Sequence, residues 1–255
     1  MARPDEDGAP IRIVSWNIHG TMGRGGKADR ERTLSEIVRF DPDILILQEV
    51  DERTGFGRPA DAFDFLRDGL TLKLVGPDAR PADHCRDVKT GSQGGCVCGN
   101  LFFTRLPILK SDVIDLPGPD IEARKAIDVT LAAGSAVLRV IGTHFGLLPT
   151  TRRRQAGAIA KRLGEGPSAA KFIDEPTIVL GDLNEWSRHG WVDRALSPVL
   201  PTVYAPKSWP ERFPIVSLDR IYASDRVEIV SARTDGEAGK ASDHLPLIAD
   251  IRIVR

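Results

Sequence analysis

No long apolar run occurs in this sequence. The longest purely aliphatic stretches are a few residues, such as Ile44 to Leu47, against the roughly 20 that a bilayer-spanning helix requires. The amino-terminal MARPDEDGAP is acidic and contains proline, the reverse of a basic leader with an apolar core. A cytoplasmic protein is therefore expected. Neither sign of charge dominates: 35 Lys+Arg stand against 36 Asp+Glu, a formal net charge of −1. Proteins that hold nucleic acid mainly through its phosphates need positive charge to release counterions, and here only a local basic stripe could supply it. Fixed-period repeats and low-complexity tracts are both missing. Cysteine is scarce as well. Cys85, Cys96 and Cys98, with His84 beside them, are too few for a small disulfide scaffold. Three readings remain for them: a zinc site completed by His84, a disulfide from Cys85 to one of the other two, or reduced thiols in a loop. The spacing matches no common zinc motif, and reduced thiols are the preferred reading.

What is present is ordinary for a globular chain: 255 residues, 41% hydrophobic and 28% charged. A chain of this length buries roughly 70–75% of its unfolded surface and needs no covalent staples. No interior linker stands out, so residues 1–10 read as a tail and 11–255 as one domain, expected to be monomeric. Residues 11–18 (IRIVSWNI) and DILILQEV read as strands buried on both faces. Helices are expected near 28–40, 60–69 and 150–164, the last with Ala156, Ile159, Ala160 and Leu163 at helical spacing. Residues 76–98, rich in Gly, Pro, Asp and Cys, read as a long surface loop. From residue 99 onward short β-like runs follow: GNLFFT, ILKSDVIDL, AIDVTLA, AVLRVIGTHF, PTIVLGD, SLDRIYAS, RVEIVSAR and LPLIADIRIV. Many strands with few helices between them predict two packed sheets with helices outside.

The polar residues of interest share a setting at the ends of apolar runs. Asn17 ends the first strand and Glu49 the second; His144 ends VIGTH; Asp182 and Asn184 follow TIVLG; Asp219 follows PIVSL; Asp243 and His244 precede LPLIAD. Taken singly, each has a plainer reading: Asn17 a capping amide, Asp182 an Asx-turn, His144 a satisfied core histidine. Together they place four carboxylates and two imidazoles beside a hydrophobic core. Carboxylates and amides suit a hard cation such as Mg²⁺, and histidines handle protons.

In this order the blocks WNIHG, LQEV, THFGL, GDLNEW, LDRIYAS and SDHLPL resemble the signatures of the endonuclease/exonuclease/phosphatase (DNase I-like) superfamily. The resemblance spans residues 11–254. It implies an α/β fold, a four-layered α/β/β/α sandwich of two mixed sheets with outer helices. It also implies a divalent-metal-dependent hydrolase of phosphate esters, using Mg²⁺ or Mn²⁺. By the resemblance, Glu49 is the principal metal ligand with Asn17 and Asp243 beside the ion. Asp182 and Asn184 hold or activate the attacking water and touch the phosphate, and Asp219 orients His244. His144 lies against the scissile phosphate, and Arg124 matches a phosphate-binding arginine whose plain alternative is an exposed strand-start charge. Arg154 and Gln155 match an Arg-Gln pair expected to be structural. Two departures stand out. CVCGN occupies the stretch where relatives carry the carboxylate that orients the His144 equivalent, leaving Asn100 as the nearest polar candidate. His19 stands where abasic-site endonucleases have an aspartate.

The substrate implied by the resemblance is a phosphate ester, with nucleic acid open as an alternative; only Arg24–Lys27, Arg152–Arg154 and Trp186–Arg188 could form a basic or aromatic contact surface for it. Sequence leaves the general base undecided between Asp182 and His244. The competing readings are a family scaffold that binds phosphorylated ligands without turnover, and an unrelated β-sandwich binding module.

Overall fold

The computed structural model describes residues 9–23, 25–91, 97–118, 123–164 and 175–254. Strand β1 (Ile11–Asn17) runs parallel to β2 (Ile44–Asp51), with helix α1 (Arg30–Phe40) between them. The α1 start is set by Asp29, whose carboxylate accepts from the Arg32 amide, and its end by Asp41 in a left-handed conformation just before Pro42. Helices α2 (Ala62–Leu70) and the one-turn α3 (Pro81–His84) lead into strands β3 (Cys85–Gly91) and β4 (Val97–Thr104). The hairpins β5 (Ile108–Leu116), β6 (Arg124–Ala133) and β7 (Ala136–His144) come next, then α4 (Pro149–Gly164), β8 (Thr177–Asp182), α5 (Trp191–Leu196), β9 (Thr202–Tyr204), β10 (Asp219–Ala223), β11 (Val227–Thr234) and β12 (Leu247–Ile253).

These strands form two mixed six-stranded sheets, in the orders β11-β12-β1-β2-β4-β3 and β5-β6-β7-β8-β10-β9. Alternation along the central strands explains the layers. Ile11 and Ile13 of β1 face the second sheet, where they join Val140, Ile178, Leu180 and Ile221, whereas Val14 and Trp16 face α1 and α2 with Ile37 and Phe63. On the far side Ile141, Val179 and Tyr222 pack under Ile159 of α4 and Val192 of α5. The result is the predicted α/β/β/α sandwich. Strands covered on both faces are mostly apolar, which is why β1, β2 and β8 read as near-continuous hydrophobic runs, with the buried Gln48 amide donating to Ser15 Oγ between them.

Residues 76–98 depart from expectation. They are not one loop: Cys85–Gly91 forms an edge strand paired antiparallel with β4. Its polar, weakly patterned sequence fits an edge position, where one side meets solvent rather than another strand. Cys85 pairs in register with Phe103 and Cys98 with Thr90, so the two cysteines sit five residues apart along the ladder and are not joined. The Cys85 thiol is buried, which pushes its pKa up to about 12. His84 Nδ1 lies 2.9 Å from the Thr104 carbonyl, a structural contact rather than a metal ligand. Cys96, the third member of the proposed zinc or disulfide groups, lies outside the described residues, as does Arg24.

Candidate active site

Register brings the polar strand ends together. β7 and β8 pair His144 with Asp182, and β8 and β10 pair Asp182 with Asp219, so the three side chains emerge from one face along a single rung. That face is the inner one, continuing the rows of Leu138–Val140 and Ile178–Leu180 that fill the space between the sheets. From the opposite sheet Asn17 ends the inward row of Ile11 and Ile13. All of these groups therefore lie where the inter-sheet core runs out.

Glu49 reaches this rim by a distortion. Strict alternation would turn it away from Gln48, but the β2–β4 register shifts between Leu47 and Val50, and Glu49 adopts φ +53°. A non-glycine residue in the left-handed region costs energy and marks a position held by its surroundings. Asn184 (φ +50°) and His19 (φ +47°) share this feature. Gly181, just before Asp182, has φ +147°, and a Cβ there would lie 1.9 Å from the Thr143 carbonyl oxygen. Only glycine fits at that point of the GDLN block.

The contacts are dense. Asn17 Nδ2 donates to Glu49 Oε1 (3.1 Å) and Asp182 Oδ2 (3.0 Å), while its Oδ1 accepts from the His19 amide. Asp182 Oδ1 accepts from the Asn184 amide at 3.0 Å. His244 Nδ1 lies 2.9 Å from Asp219 Oδ2, and its Nε2 lies 3.8 Å from Asp182 Oδ2. The two chain ends of the site are joined: Trp16 Nε1 donates to the His244 carbonyl, and Ser242 Oγ donates to the Asn17 carbonyl at 2.7 Å. His144, 3% exposed, has Arg124 Nη1 at 3.0 Å from Nδ1, and Asn184 Nδ2 at 3.1 Å from Nε2. Asn100 does not reach His144; its amide donates to the Lys125 carbonyl. A cleft beside these groups is lined by Glu49, Asn100, Arg124, Lys125 and His144.

Electrostatics divides the two imidazoles. Burial opposes charge on His244, but Asp219 and Asp182 outweigh it and hold the group at about 10. Burial and the Arg124 cation both act the other way on His144, keeping it neutral. Arginine keeps its protons, so Arg124 faces Nδ1 of His144 as a donor. Burial raises Asp182 to about 6, with Asp219 adding to the shift against the His244 charge. Burial would also raise Glu49, yet the hydrogen bonds from His19 and Asn17 leave it well below the usual carboxylate range.

All nine sequence-predicted residues, Asn17, Glu49, Arg124, His144, Asp182, Asn184, Asp219, Asp243 and His244, lie at this rim. Arg154 is exposed on α4, while Gln155 Oε1 accepts from the Gly146 amide and fixes the turn after His144. His19 was noted in the sequence only as a departure. Its Nδ1 lies 3.4 Å from Glu49 Oε2 and 3.7 Å from Asp243 Oδ1. Arg220 had no sequence signal beyond its place in LDRIY; it is 2% exposed and donates to the Glu185 and Ser187 carbonyls.

The structure is similar to several solved ones. The human Nocturnin catalytic domain with bound sulfate shares 21% identity, covering 99% of this chain and 96% of that one, with a TM-score of 0.72. TDP2 from D. rerio, complexed with a single-strand DNA product, shares 18% over 95% of this chain and 99% of its own, at 0.67. The mannosyl-6-phosphatase Bt3783 of Bacteroides thetaiotaomicron shares 14% over 94% of this chain and 99% of its own, also at 0.67. Identities this low speak for the fold alone. No curated protein matches the chain. The sequence itself matches the Endonuclease/Exonuclease/phosphatase family across residues 14–244, from the first buried strand to the last imidazole of the rim, and the chain belongs to that family.

Proposed function

We propose that the protein is a divalent-metal-dependent phosphoesterase in which water attacks phosphorus at the rim between the sheets. The observation that carries this reading is the meeting of two groups at one place. One is the oxygen set of Glu49 and Asp243; the other is the line Asp219–His244–Asp182. Similar structures that include a TDP2 complexed with a single-strand DNA product and a mannosyl-6-phosphatase are compatible with it. The near-zero net charge favours small esters over long nucleic acids.

The residues fit a hard cation. Glu49 Oε2 and Asp243 Oδ1 turn toward the same imidazole edge of His19, and Asp243 Oδ1 is buried with no hydrogen-bond partner among the described residues. Glu49 would be the principal ligand, with Asn17 and Asp243 beside the ion, an all-oxygen set of the kind Mg²⁺ or Mn²⁺ takes. When bound, the ion neutralises charge on the phosphate oxygens. Ligand atoms of Asp182, Asp219 and His244 also lie within 4.8 Å of one another, but that group suits a metal less well. A ligating imidazole must be unprotonated, and two carboxylates favour the protonated form of His244.

The chain's own groups then divide the work. Asp182, at about 6, is matched to neutral pH and accepts the proton of the water. His244, an imidazolium fixed by Asp219, donates its Nε2 hydrogen to a phosphate oxygen. Arg124, Asn184 and neutral His144 surround the remaining oxygens, each contact worth on the order of 10²–10³ in rate. Hydrolysis of bis-p-nitrophenyl phosphate with and without Mg²⁺ or Mn²⁺ tests the reading. Turnover that EDTA abolishes and either ion restores is expected; binding of phosphate without any turnover would leave a non-catalytic scaffold.

A further inference from the structure

Arg220 is a cation taken out of water beside the site, and the chemistry proposed above does not use it. Burying a guanidinium is costly unless its donors are filled, and this one is 2% exposed. Side chains alternate along β10: Asp219 and Ile221 face the space between the sheets, Arg220 and Tyr222 the outer layer. From that outer side Nη2 donates to the Glu185 carbonyl (2.7 Å) and the Ser187 carbonyl (2.9 Å), and Nε to the Ser217 carbonyl (3.0 Å). The Glu185 carboxylate, also buried, turns back under the same loop and accepts from the amides of Ser187 (3.0 Å) and Val192 (3.3 Å). Arg152 of α4 lies 4.0 Å from that carboxylate and donates to the Leu147 carbonyl, on the loop after His144. Gly190 makes the space for it, since a Cβ there would lie 2.1 Å from the Glu185 carboxyl carbon.

This clamp bears on the site through residue 184. Asn184 is held at φ +50° between Asp182, which accepts from its amide, and Glu185, whose carbonyl Arg220 holds. With both neighbours fixed, its side chain turns inward, Nδ2 lying 2.9 Å from the Phe145 carbonyl oxygen and 3.1 Å from His144 Nε2. We propose that Arg220 and Glu185 are positioning residues for the reaction, holding Asn184 from the outer face in the turn that sets its amide beside His144 at the phosphate. The inference rests on the phosphoesterase reading for what Asn184 touches. Anchoring a loop needs no ions, because apolar residues of similar volume hold a buried surface at least as well. The buried charges are explained by the geometry they impose. β10 thus serves the site from both faces, with Asp219 orienting His244 on the inner side and Arg220 orienting Asn184 on the outer.

Hydrolysis of bis-p-nitrophenyl phosphate by a set of variants tests this. Arg220→Lys keeps the charge but loses the fork that reaches several carbonyls. Its kcat should fall on the order of 10²-fold, the cost of misplacing a contact by about 1 Å. Gly190→Ala, at a φ of −77° that suits alanine, displaces the Glu185 carboxylate without altering a charge and should lower kcat likewise. The Asn184→Ala background decides the route. There Arg220→Lys should cost no more than about twofold, because the group it positions is gone. Losses that multiply in full in that background, or a wild-type kcat in either single variant, would overturn the proposal. So would an alkaline limb of the pH–rate profile displaced by Arg220→Lys, which would route the loss through the neighbouring Asp219 and His244. Should Arg220→Lys not fold, Gly190→Ala carries the same comparisons. The Asn184 side-chain amide, followed by NMR, separates this proposal from the phosphoesterase reading. Its resonances should move in both variants whether or not the wild type turns over the ester, and unchanged resonances would remove the clamp.

Discussion

Replacing Asp219 with asparagine keeps the size and hydrogen-bonding reach of the group but removes the charge 2.9 Å from His244 Nδ1. In the wild type the imidazole sits at about 10, against an ordinary 6.5, because Asp219 and Asp182 overcome the burial that disfavours its cation. Asp219 is the largest of the attractions, so without it burial regains weight and the pKa falls. At mildly alkaline pH the protonated fraction then drops. The variant should lose on the order of 10²–10³ in kcat, and the alkaline limb of its pH–rate profile should move to lower pH. Stability carries the same signature. A group raised in the folded state stabilises fully below its unfolded pKa and loses that contribution as pH climbs to the folded value, here between about 6.5 and 10. Denaturant midpoints of the wild type should decline across that window, and those of Asp219→Asn should decline less. Imidazole nitrogen shifts followed by NMR give the pKa directly. A His244 that stays protonated to pH 10 in the variant would refute the assignment of Asp219 as its electrostatic partner.

Three further outcomes follow from the same geometry. Glu49→Gln removes a principal oxygen charge, and metal titration should shift to much higher Mg²⁺ concentration, read by calorimetry as well as by rate. His144→Ala should cost similar factors on p-nitrophenyl and alkyl esters, because Arg124 and burial keep this imidazole neutral; a loss confined to alkyl esters would instead make it the proton donor to the departing oxygen. Gly181→Ala should lower the melting temperature markedly, since φ +147° and a Cβ placed 1.9 Å from the Thr143 oxygen leave no relaxed conformation; an unchanged melting curve would contradict the packing described.

The legible part of the site was its inventory, and the illegible part its geometry. Near-continuous apolar runs in IRIVSWN and TIVLGD placed Asn17 and Asp182 at strand ends, two packed sheets followed from the many strands, and the helices expected near 28–40, 60–69 and 150–164 lie at 30–40, 62–70 and 149–164. Strand β3 escaped because CRDVKTG, at a sheet edge, carries little of the apolar pattern that marks a buried strand. The bulge at Glu49 escaped because a register shift depends on the partner strand, not on LQEV itself. Asn100 looked like the orienting group for His144 by proximity in sequence. The β6–β7 hairpin instead brings Arg124, a cation, to the imidazole, which with burial keeps the ring neutral. His19, read only as a missing aspartate, lies between Glu49 and Asp243 because residues 242–244 fold back onto the end of β1, a long-range contact that spacing alone does not reveal.

Attack of water on phosphorus at this rim is the central claim, and isotope labelling tests it most directly. Bis-p-nitrophenyl phosphate turned over with Mg²⁺ in ¹⁸O-enriched water should yield p-nitrophenyl phosphate carrying one heavy oxygen and p-nitrophenol carrying none, with turnover lost in Asp182→Asn. Heavy oxygen in the phenol, or undiminished turnover by Asp182→Asn, would contradict it.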